Sequence, residues 1–194
     1  GKHVDRVMAG AHAAISQSKR QIFPWQAACL YALATHLDRH GGGEALEIGT
    51  ARGYSAYFIA RAMPHTRFTT LNPNVTETQL ASAVLRPMRV EQRLALSWDY
   101  FEQDTRRYDF IFVDGDHKQI LRDLPWFNRL RPNGLILFHD VSPAGSARPC
   151  PPVYEGVLKL GADLGRDPDV WLADEGSVGM AGFYRREGET WQTT

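Results

Sequence analysis

Glu44-Ala45-Leu46-Glu47-Ile48-Gly49-Thr50-Ala51-Arg52-Gly53-Tyr54-Ser55 is the stretch that decides the fold of this chain. A short apolar run ends in an acidic residue, two glycines follow, and then a helical pattern begins. Parallel α/β folds build a nucleotide-sized pocket from a strand, a tight turn and a helix in this order. Glycine lets the backbone approach a ligand, and the helix N-terminus presents unpaired N–H groups. We therefore expect a ligand at this turn, selected by Glu47.

The spacing of the two glycines argues against a pyrophosphate ligand. Dinucleotide-binding turns need the pattern G-x-G-x-x-G, whereas this chain has Glu47-x-Gly49-x-x-x-Gly53. A carboxylate at the end of the strand would also repel phosphate. The turn suits a ligand that carries a cationic amine and a neutral nucleoside.

Length, composition and charge narrow the function classes. The 194 residues fit one domain, since domains commonly have roughly 100–200 residues. The chain has 22 basic and 22 acidic side chains, so we do not expect a nucleic-acid partner, which normally requires a basic excess. Cys29 and Cys150 have no metal-type spacing and form no disulfide framework, which favours a reducing cytoplasm. No apolar run approaches the ~20 residues of a membrane span, and no signal peptide is visible.

Strand and helix patterns alternate along the chain. Helices are predicted at residues 4–17, 24–39, 54–63, 76–85, 118–130 and 153–164, and strands at 45–49, 67–71, 93–97, 108–113, 135–139, 169–173 and 180–185. This alternation predicts an α/β fold with a mostly parallel sheet. We expect a single domain over residues 1–194, with a core at 44–187. Residues 1–40 would form a lid, or a surface for a homo-oligomer.

Chemistry-bearing side chains follow two of the predicted strands. The strand at 108–113 leads into Asp114, and the strand at 135–139 ends in His139 and Asp140. Within these strands the runs at 110–113 and 135–138 are continuously apolar, as central strands should be. Ligands bind beyond the carboxyl ends of such strands, so we expect these side chains to face the same crevice as Glu47. Carboxylates favour Mg²⁺, and an imidazole ligand shifts the preference toward Mn²⁺ or a later metal.

His117 stands three residues beyond Asp114 and is a candidate base. An imidazole with a pKa near ~6.5 is suited to removing a proton at neutral pH. Plainer interpretations stay open, because Asp114 and Asp140 could cap turns and His117 could be a surface residue. Asp116 is the better candidate for a helix N-cap.

Three motifs in order resemble those of metal-dependent class I O-methyltransferases. They are Glu47-Ile48-Gly49-x-x-x-Gly53-Tyr54-Ser55-Ala56, Val113-Asp114-Gly115-Asp116-His117 and Phe138-His139-Asp140-Val141. The first is similar to catechol O-methyltransferases, and the other two are similar to macrocin-type sugar O-methyltransferases. The resemblance covers residues 44–141.

The resemblance implies a Rossmann-like, seven-stranded sheet with helices on both faces and an antiparallel last strand. It also implies S-adenosylmethionine as methyl donor, a divalent metal (Mg²⁺ or Mn²⁺), and transfer to a hydroxyl of a small molecule such as a sugar, a catechol or a natural product. The implied cofactor-binding residues are Glu47, Gly49, Thr50, Gly53, Tyr54, Ser55, Asn72, Ser97, Trp98 and Asp114. The implied metal ligands are Asp114, His139 and Asp140, and the catalytic residues are His117 and Asp114.

Two positions depart from the pattern of that family. Asn72 stands where an acid would bind both ribose hydroxyls, and its amide lacks the stronger charge-assisted hydrogen bond. His139 stands where metal-dependent relatives carry an acid. These departures leave open a catalytically impaired module that only binds S-adenosylmethionine. A nicotinamide-dependent oxidoreductase is a weaker alternative because of the glycine spacing.

Overall fold

The computed structural model describes Arg6 and residues 22–173 and 178–192 of the 194-residue chain. Apart from Arg6, the helix predicted at 4–17 lies outside the described residues. The chain divides into two compact units, Gly1–Leu96 and Ser97–Thr194. The single domain over 1–194, and the lid or oligomer surface at 1–40, stay predictions.

The first unit alternates helices with parallel strands. Its elements are α1 (Pro24–Leu37), β1 (Gly43–Ile48), α2 (Tyr54–Ala62), β2 (Thr66–Leu71), α3 (Val75–Leu85) and β3 (Val90–Arg93). β2 pairs in parallel with both β1 and β3, and this register places Thr70 beside Glu47. The side chain of Asn74 caps α3 by accepting a hydrogen bond from the N–H of Glu77.

The second unit contains the most deeply buried strands. Its elements are α4 (Ser97–Gln103), β4 (Tyr108–Val113), the 3₁₀ helices η1 (His117–Arg122) and η2 (Leu124–Arg129), β5 (Leu130–Val141), α5 (Pro151–Leu164), β6 (Val170–Leu172) and β7 (Gly179–Tyr184). Every residue of β4 is buried, which confirms the inference from its continuous apolar sequence. β4 and β5 are parallel, and β7 is antiparallel to both β5 and β6.

The strands form one seven-stranded sheet in the order β3-β2-β1-β4-β5-β7-β6. The predicted α/β, Rossmann-like fold with an antiparallel last strand is confirmed. In the part of the chain that the structure describes, no helix is long and apolar enough to cross a membrane. Cys29 and Cys150 are both free. A cytoplasmic location stays a prediction.

Two element predictions were wrong. The strand predicted at 93–97 is not formed there: β3 spans Val90–Arg93, and a helix starts at Ser97. Leu94 and Leu96, which suggested that strand, are 56% and 37% exposed. The continuous helix predicted at 118–130 is instead two 3₁₀ helices, with Pro125 in the first turn of η2. Proline lacks the N–H that an uninterrupted helix would require there.

Candidate functional site

Glu47, at the end of β1, is fully buried and holds hydroxyl groups. The hydroxyl of Ser55 donates to its Oε1 and that of Thr70 to its Oε2, each at 2.5 Å. The hydroxyls of Thr50 and Thr70 are also 2.5 Å apart. A buried carboxylate needs such partners, because burial without them carries a large desolvation cost. Glu47 therefore ties the end of β1 to β2 and to the first turn of α2.

The glycine turn after β1 has the backbone that its sequence predicts. Gly49 and Gly53 have φ angles of 98° and 85°, a region that glycine enters without steric cost. The N–H groups of Gly49 and Thr50 both donate to the carbonyl of Leu71 at 3.0 Å. Gly53 lies against α3, where an added Cβ would stand 3.3 Å from Cβ of Ala81. The turn is thus held in place and closely packed.

Tyr54 and Asn72, which both lie beside the glycine turn, have an aromatic and a hydrogen-bonding environment, respectively. Tyr54 is 1% exposed and packs edge-to-face against Phe58 at 5.2 Å between ring centroids. Asn72 is 4% exposed and lies just after β2. Its amide nitrogen donates to the carboxylate of Glu77 at 3.1 Å and to the carbonyl of Ala51 at 3.4 Å. The amide thus bridges the glycine turn and α3.

Ser97 and Trp98 begin α4 in the second unit, and both have partners there. The Ser97 hydroxyl donates to Oδ1 of Asp123, and burial raises the pKa of that carboxyl to about 6, with the Ser97 hydrogen bond opposing the shift. The guanidinium of Arg122 lies 4.0 Å from the centroid of the Trp98 ring. This contact covers one face of the ring that would stack on an adenine.

Asp114, His117 and Asp140 form a compact group in the second unit. One potential ligand atom from each of the three lies within 4.8 Å of the others. His117 Nε2 is 2.9 Å from Asp140 Oδ2 and 4.0 Å from Asp114 Oδ1. Two carboxylate oxygens and an imidazole nitrogen are a donor set that a divalent cation accepts. The residues present therefore fit a metal, with His117 beside the carboxylates.

His139 is only 2% exposed and lies against the same carboxylates. Its Nδ1 is 3.1 Å from Asp114 Oδ1 and 3.4 Å from Asp140 Oδ1, and its ring packs 6.2 Å from that of Phe112. Its assignment as a metal ligand stays a prediction. The observed contacts are those of a side chain that orients the two carboxylates.

The pKa values of His117, His139 and Asp140 are all shifted from their ordinary values. The carboxylates of Asp114 and Asp140 raise the pKa of His117 to about 10. Burial opposes the charged form of His139, but the same carboxylates raise its pKa to about 10 as well. Burial would raise the pKa of Asp140, yet His117 and His139 hold it well below its ordinary value. Both shifts favour the protonated form of the imidazole.

Asp140 also has an uncommon backbone. Its φ of 59° lies in the left-handed region, which few residues other than glycine, asparagine and aspartate adopt. Backbones of this kind concentrate at functional sites, where the surrounding structure holds them. Asp116, by contrast, caps η1 by accepting from the N–H of Lys118 at 3.0 Å, as its sequence position predicted.

The structure gathers the predicted residues within each unit. Glu47, Thr50 and Ser55 meet around Thr70, and Asp114, His117, His139 and Asp140 form one group. The expectation that both sets face one crevice stays a prediction. Sequence reasoning missed Thr70, Glu77 and Asp123. Thr70 lies opposite Glu47 in the register of β1 and β2, which the sequence TRFTTL of β2 does not reveal, and no sequence signal links Asn72 to Glu77 or Ser97 to Asp123.

The comparison with solved structures concerns the fold. An O-methyltransferase from Bacillus cereus in complex with S-adenosylhomocysteine superposes with a TM-score of 0.70 at 21% identity, covering 95% of this chain and 91% of that one. The O-methyltransferase TomG from Streptomyces achromogenes, in complex with S-adenosylmethionine, gives 0.71 at 22% identity, covering 95% and 90%. At these identities the likeness shows a shared architecture.

The sequence comparisons agree with that architecture. A curated relative, the catechol O-methyltransferase of Niastella koreensis, is 29% identical over 140 residues. The alignment covers 64% of this chain and 62% of that protein, so the match spans less than two thirds of the relative's length. Residues 46–141, which include Glu47, the glycine turn, Asp114, His117 and Asp140, match a family model described as a methyltransferase domain. This stretch of about half the chain is therefore similar to a methyltransferase domain.

Proposed function

We propose that this protein transfers the methyl group of S-adenosylmethionine to a hydroxyl oxygen of a small molecule, with the help of a divalent cation. The observation that carries the proposal is the group of Asp114, His117 and Asp140, within 4.8 Å of one another, in a chain whose residues 46–141 match a methyltransferase-domain model. A donor turn alone would suit methylation of any atom. The added oxygen-rich group favours an acceptor hydroxyl.

The donor half of the reaction belongs to the glycine turn of the first unit. The buried Glu47 holds Ser55 and Thr70, and so fixes the turn before a ligand arrives. Its negative charge favours a ligand with an amine and a sulfonium, both cationic. Gly49 and Gly53 let the ligand approach the backbone, and the N-terminus of α2 presents N–H groups to polar oxygens of the ligand.

The acceptor half belongs to the second unit. Asp114 and Asp140 would hold a divalent cation, which would lower the pKa of an acceptor hydroxyl and, as a like charge, that of the neighbouring His117. In its neutral form, His117 can then receive the hydroxyl proton. His139 orients Asp114 and Asp140 from the buried side.

The chemical step is one displacement. The acceptor oxygen forms a bond to the methyl carbon, the bond between that carbon and sulfur breaks, and the sulfonium becomes the neutral thioether of S-adenosylhomocysteine. The acceptor proton is lost to His117. Such a step depends chiefly on alignment, because holding two reactants in the attacking geometry removes most of the entropic cost.

A thermal-shift matrix followed by a turnover assay tests the proposal. The protein is heated with S-adenosylhomocysteine, alone and with Mg²⁺, Mn²⁺ or a chelator. A ligand at 100 times its Kd stabilises a protein by about 2.7 kcal/mol. Turnover is then measured with 1,2-dihydroxybenzene as the first acceptor, because one relative is a catechol O-methyltransferase. No shift with the nucleoside would contradict the donor assignment, and turnover that persists in chelator would contradict the cation. Donor binding without turnover on any hydroxyl acceptor would favour the impaired module.

A further inference from the structure

A carboxylate outside the predicted site lies beside the glycine turn. Glu77, in the first turn of α3, is half-buried. Its Oε2 accepts a hydrogen bond from the side-chain nitrogen of Asn72 at 3.1 Å. This acid stands five residues after the position at which the family pattern would place one.

The amide of Asn72 is already engaged on both sides. Its nitrogen donates to Glu77 and to the carbonyl of Ala51, and its oxygen accepts from the N–H of Asn74 at 2.9 Å. An amide nitrogen has two hydrogens, so these two contacts occupy both. Asn72 therefore connects the glycine turn to Glu77 and fixes where that carboxylate lies.

A nucleoside at this turn would present two adjacent ribose hydroxyls. In related α/β nucleotide sites, an acid that follows the second strand accepts a hydrogen bond from the ribose. A carboxylate accepts from a hydroxyl more strongly than an amide oxygen does. In this chain the amide follows β2 and the acid is its hydrogen-bonded neighbour.

We infer that Glu77 is the ribose-binding carboxylate of this protein and that Asn72 positions it. The inference rests on the proposed binding of S-adenosylmethionine at the glycine turn. The ribose-binding acid thus lies in the first turn of α3 instead of at the end of β2, and the Asn72 amide hydrogen-bonds to it. On this view, the asparagine at position 72 means that the carboxylate that accepts from the ribose stands at position 77.

Calorimetric titration of the full chain with S-adenosylhomocysteine and with its 2′-deoxy analogue tests the inference. Glu77→Gln keeps the backbone N–H that Asn74 caps, so the helix start is preserved. We expect Glu77→Gln to weaken S-adenosylhomocysteine binding about tenfold, as loss of a hydrogen bond to a charged group does. The 2′-deoxy analogue lacks the 2′-hydroxyl, so the same substitution should weaken its binding less than threefold. Glu102→Gln, an exposed position in α4, is the control and should bind both ligands as the unaltered protein does.

A second variant guards against a folding defect. Asn72→Asp/Glu77→Gln exchanges the acid and the amide within the same hydrogen-bonded pair, and should restore binding to within threefold of the unaltered protein. Equal losses for both ligands in Glu77→Gln, no loss, or no restoration in the exchanged variant would overturn the inference. Failure of the unaltered protein to bind S-adenosylhomocysteine would instead remove the proposed function.

Discussion

Two groups of acids in this molecule are stabilised by opposite means. Glu47, in the first unit, accepts hydrogen bonds from two neutral hydroxyls, whereas Asp114 and Asp140, in the second, contact two imidazoles. Neutral donors stabilise a carboxylate without cancelling its charge, so Glu47 would still attract the cationic donor that we propose. Protonated imidazoles offset the charges of the carboxylates. The proposed metal would therefore compete with protons for the second group, whereas the proposed donor would need no such exchange at the first.

The largest expected effect separates the two groups by function. Asp140→Asn should lower turnover by on the order of 100-fold or more, as removal of a preorganised electrostatic group commonly does, and should leave S-adenosylhomocysteine affinity unchanged. Steady-state kinetics and calorimetry measure the two quantities. The control Asp116→Asn removes a nearby charge but keeps a capping residue at η1, and should stay within twofold. Equal turnover for both variants would show that the carboxylates of the second unit take no part in the reaction.

The next effect tests the glycine turn itself. Gly53→Ala should weaken S-adenosylhomocysteine binding about tenfold and destabilise the protein by about 1–2 kcal/mol, because φ is 85° and the new Cβ meets α3. Gly42→Ala is a matched control, since φ there is 90° with no atom within 4 Å of the new Cβ. Gly42→Ala should lower the free energy of unfolding by a similar amount and leave the affinity for S-adenosylhomocysteine unchanged. Calorimetry and denaturant unfolding distinguish the two, and a similar affinity loss in both variants would count against a close-packed ligand turn.

The pH dependence of the metal-free protein tests the charge balance of the second group. The pKa values of His117 and His139 are raised from 6.5 to about 10 in the folded protein. Their contribution to stability is therefore complete below about pH 6.5 and is lost as pH rises through about 10. Thermal unfolding in chelator should show a falling Tm across this window. His139→Gln should make the decline shallower by on the order of 3 °C, and an unaltered slope would show that His139 is neutral when buried.

The smallest effect concerns the hydroxyls around Glu47. Thr50→Val removes the contact with Thr70 and should lower the free energy of unfolding by about 1 kcal/mol, typical for one hydrogen bond. Thr76→Val, at an exposed site on α3, makes the same chemical change and should stay within about 0.5 kcal/mol. Urea unfolding measures both. Equal values would mean that the hydroxyl network adds nothing beyond packing.

Local signals predicted most of the fold. The apolar runs gave the central strands, and glycine spacing gave the turn after β1 with its left-handed backbone. Predictions failed where tertiary contacts decide the outcome. Leu94 and Leu96 have the alternation of a strand but are exposed beyond the short, charged edge strand β3. Pro125 divides a stretch whose apolar spacing otherwise suits one helix.

The sequence predicted which residues form the candidate site better than it predicted what each of them contacts. Asp114, His117 and Asp140 are close together, which their positions after neighbouring strands suggested. The burial of His139 behind these carboxylates could not be read from the chain, because residues 139 and 140 both follow the same strand pattern. The pairing of Asn72 with Glu77 depends on the path of the chain between β2 and α3, which sequence periodicity does not specify.

The left-handed backbone at Asp140 limits how this protein can diversify. Glycine, asparagine, aspartate and, less often, histidine enter that conformation, so glutamate at position 140 would add strain whatever its chemistry. A longer carboxylate is thus disfavoured at this position. If the proposed metal binds, selection for a different one, in nature or in a directed-evolution library, would act most readily at Asp114, His117 or His139, and randomising these three positions with Asp140 held constant would search those variants efficiently.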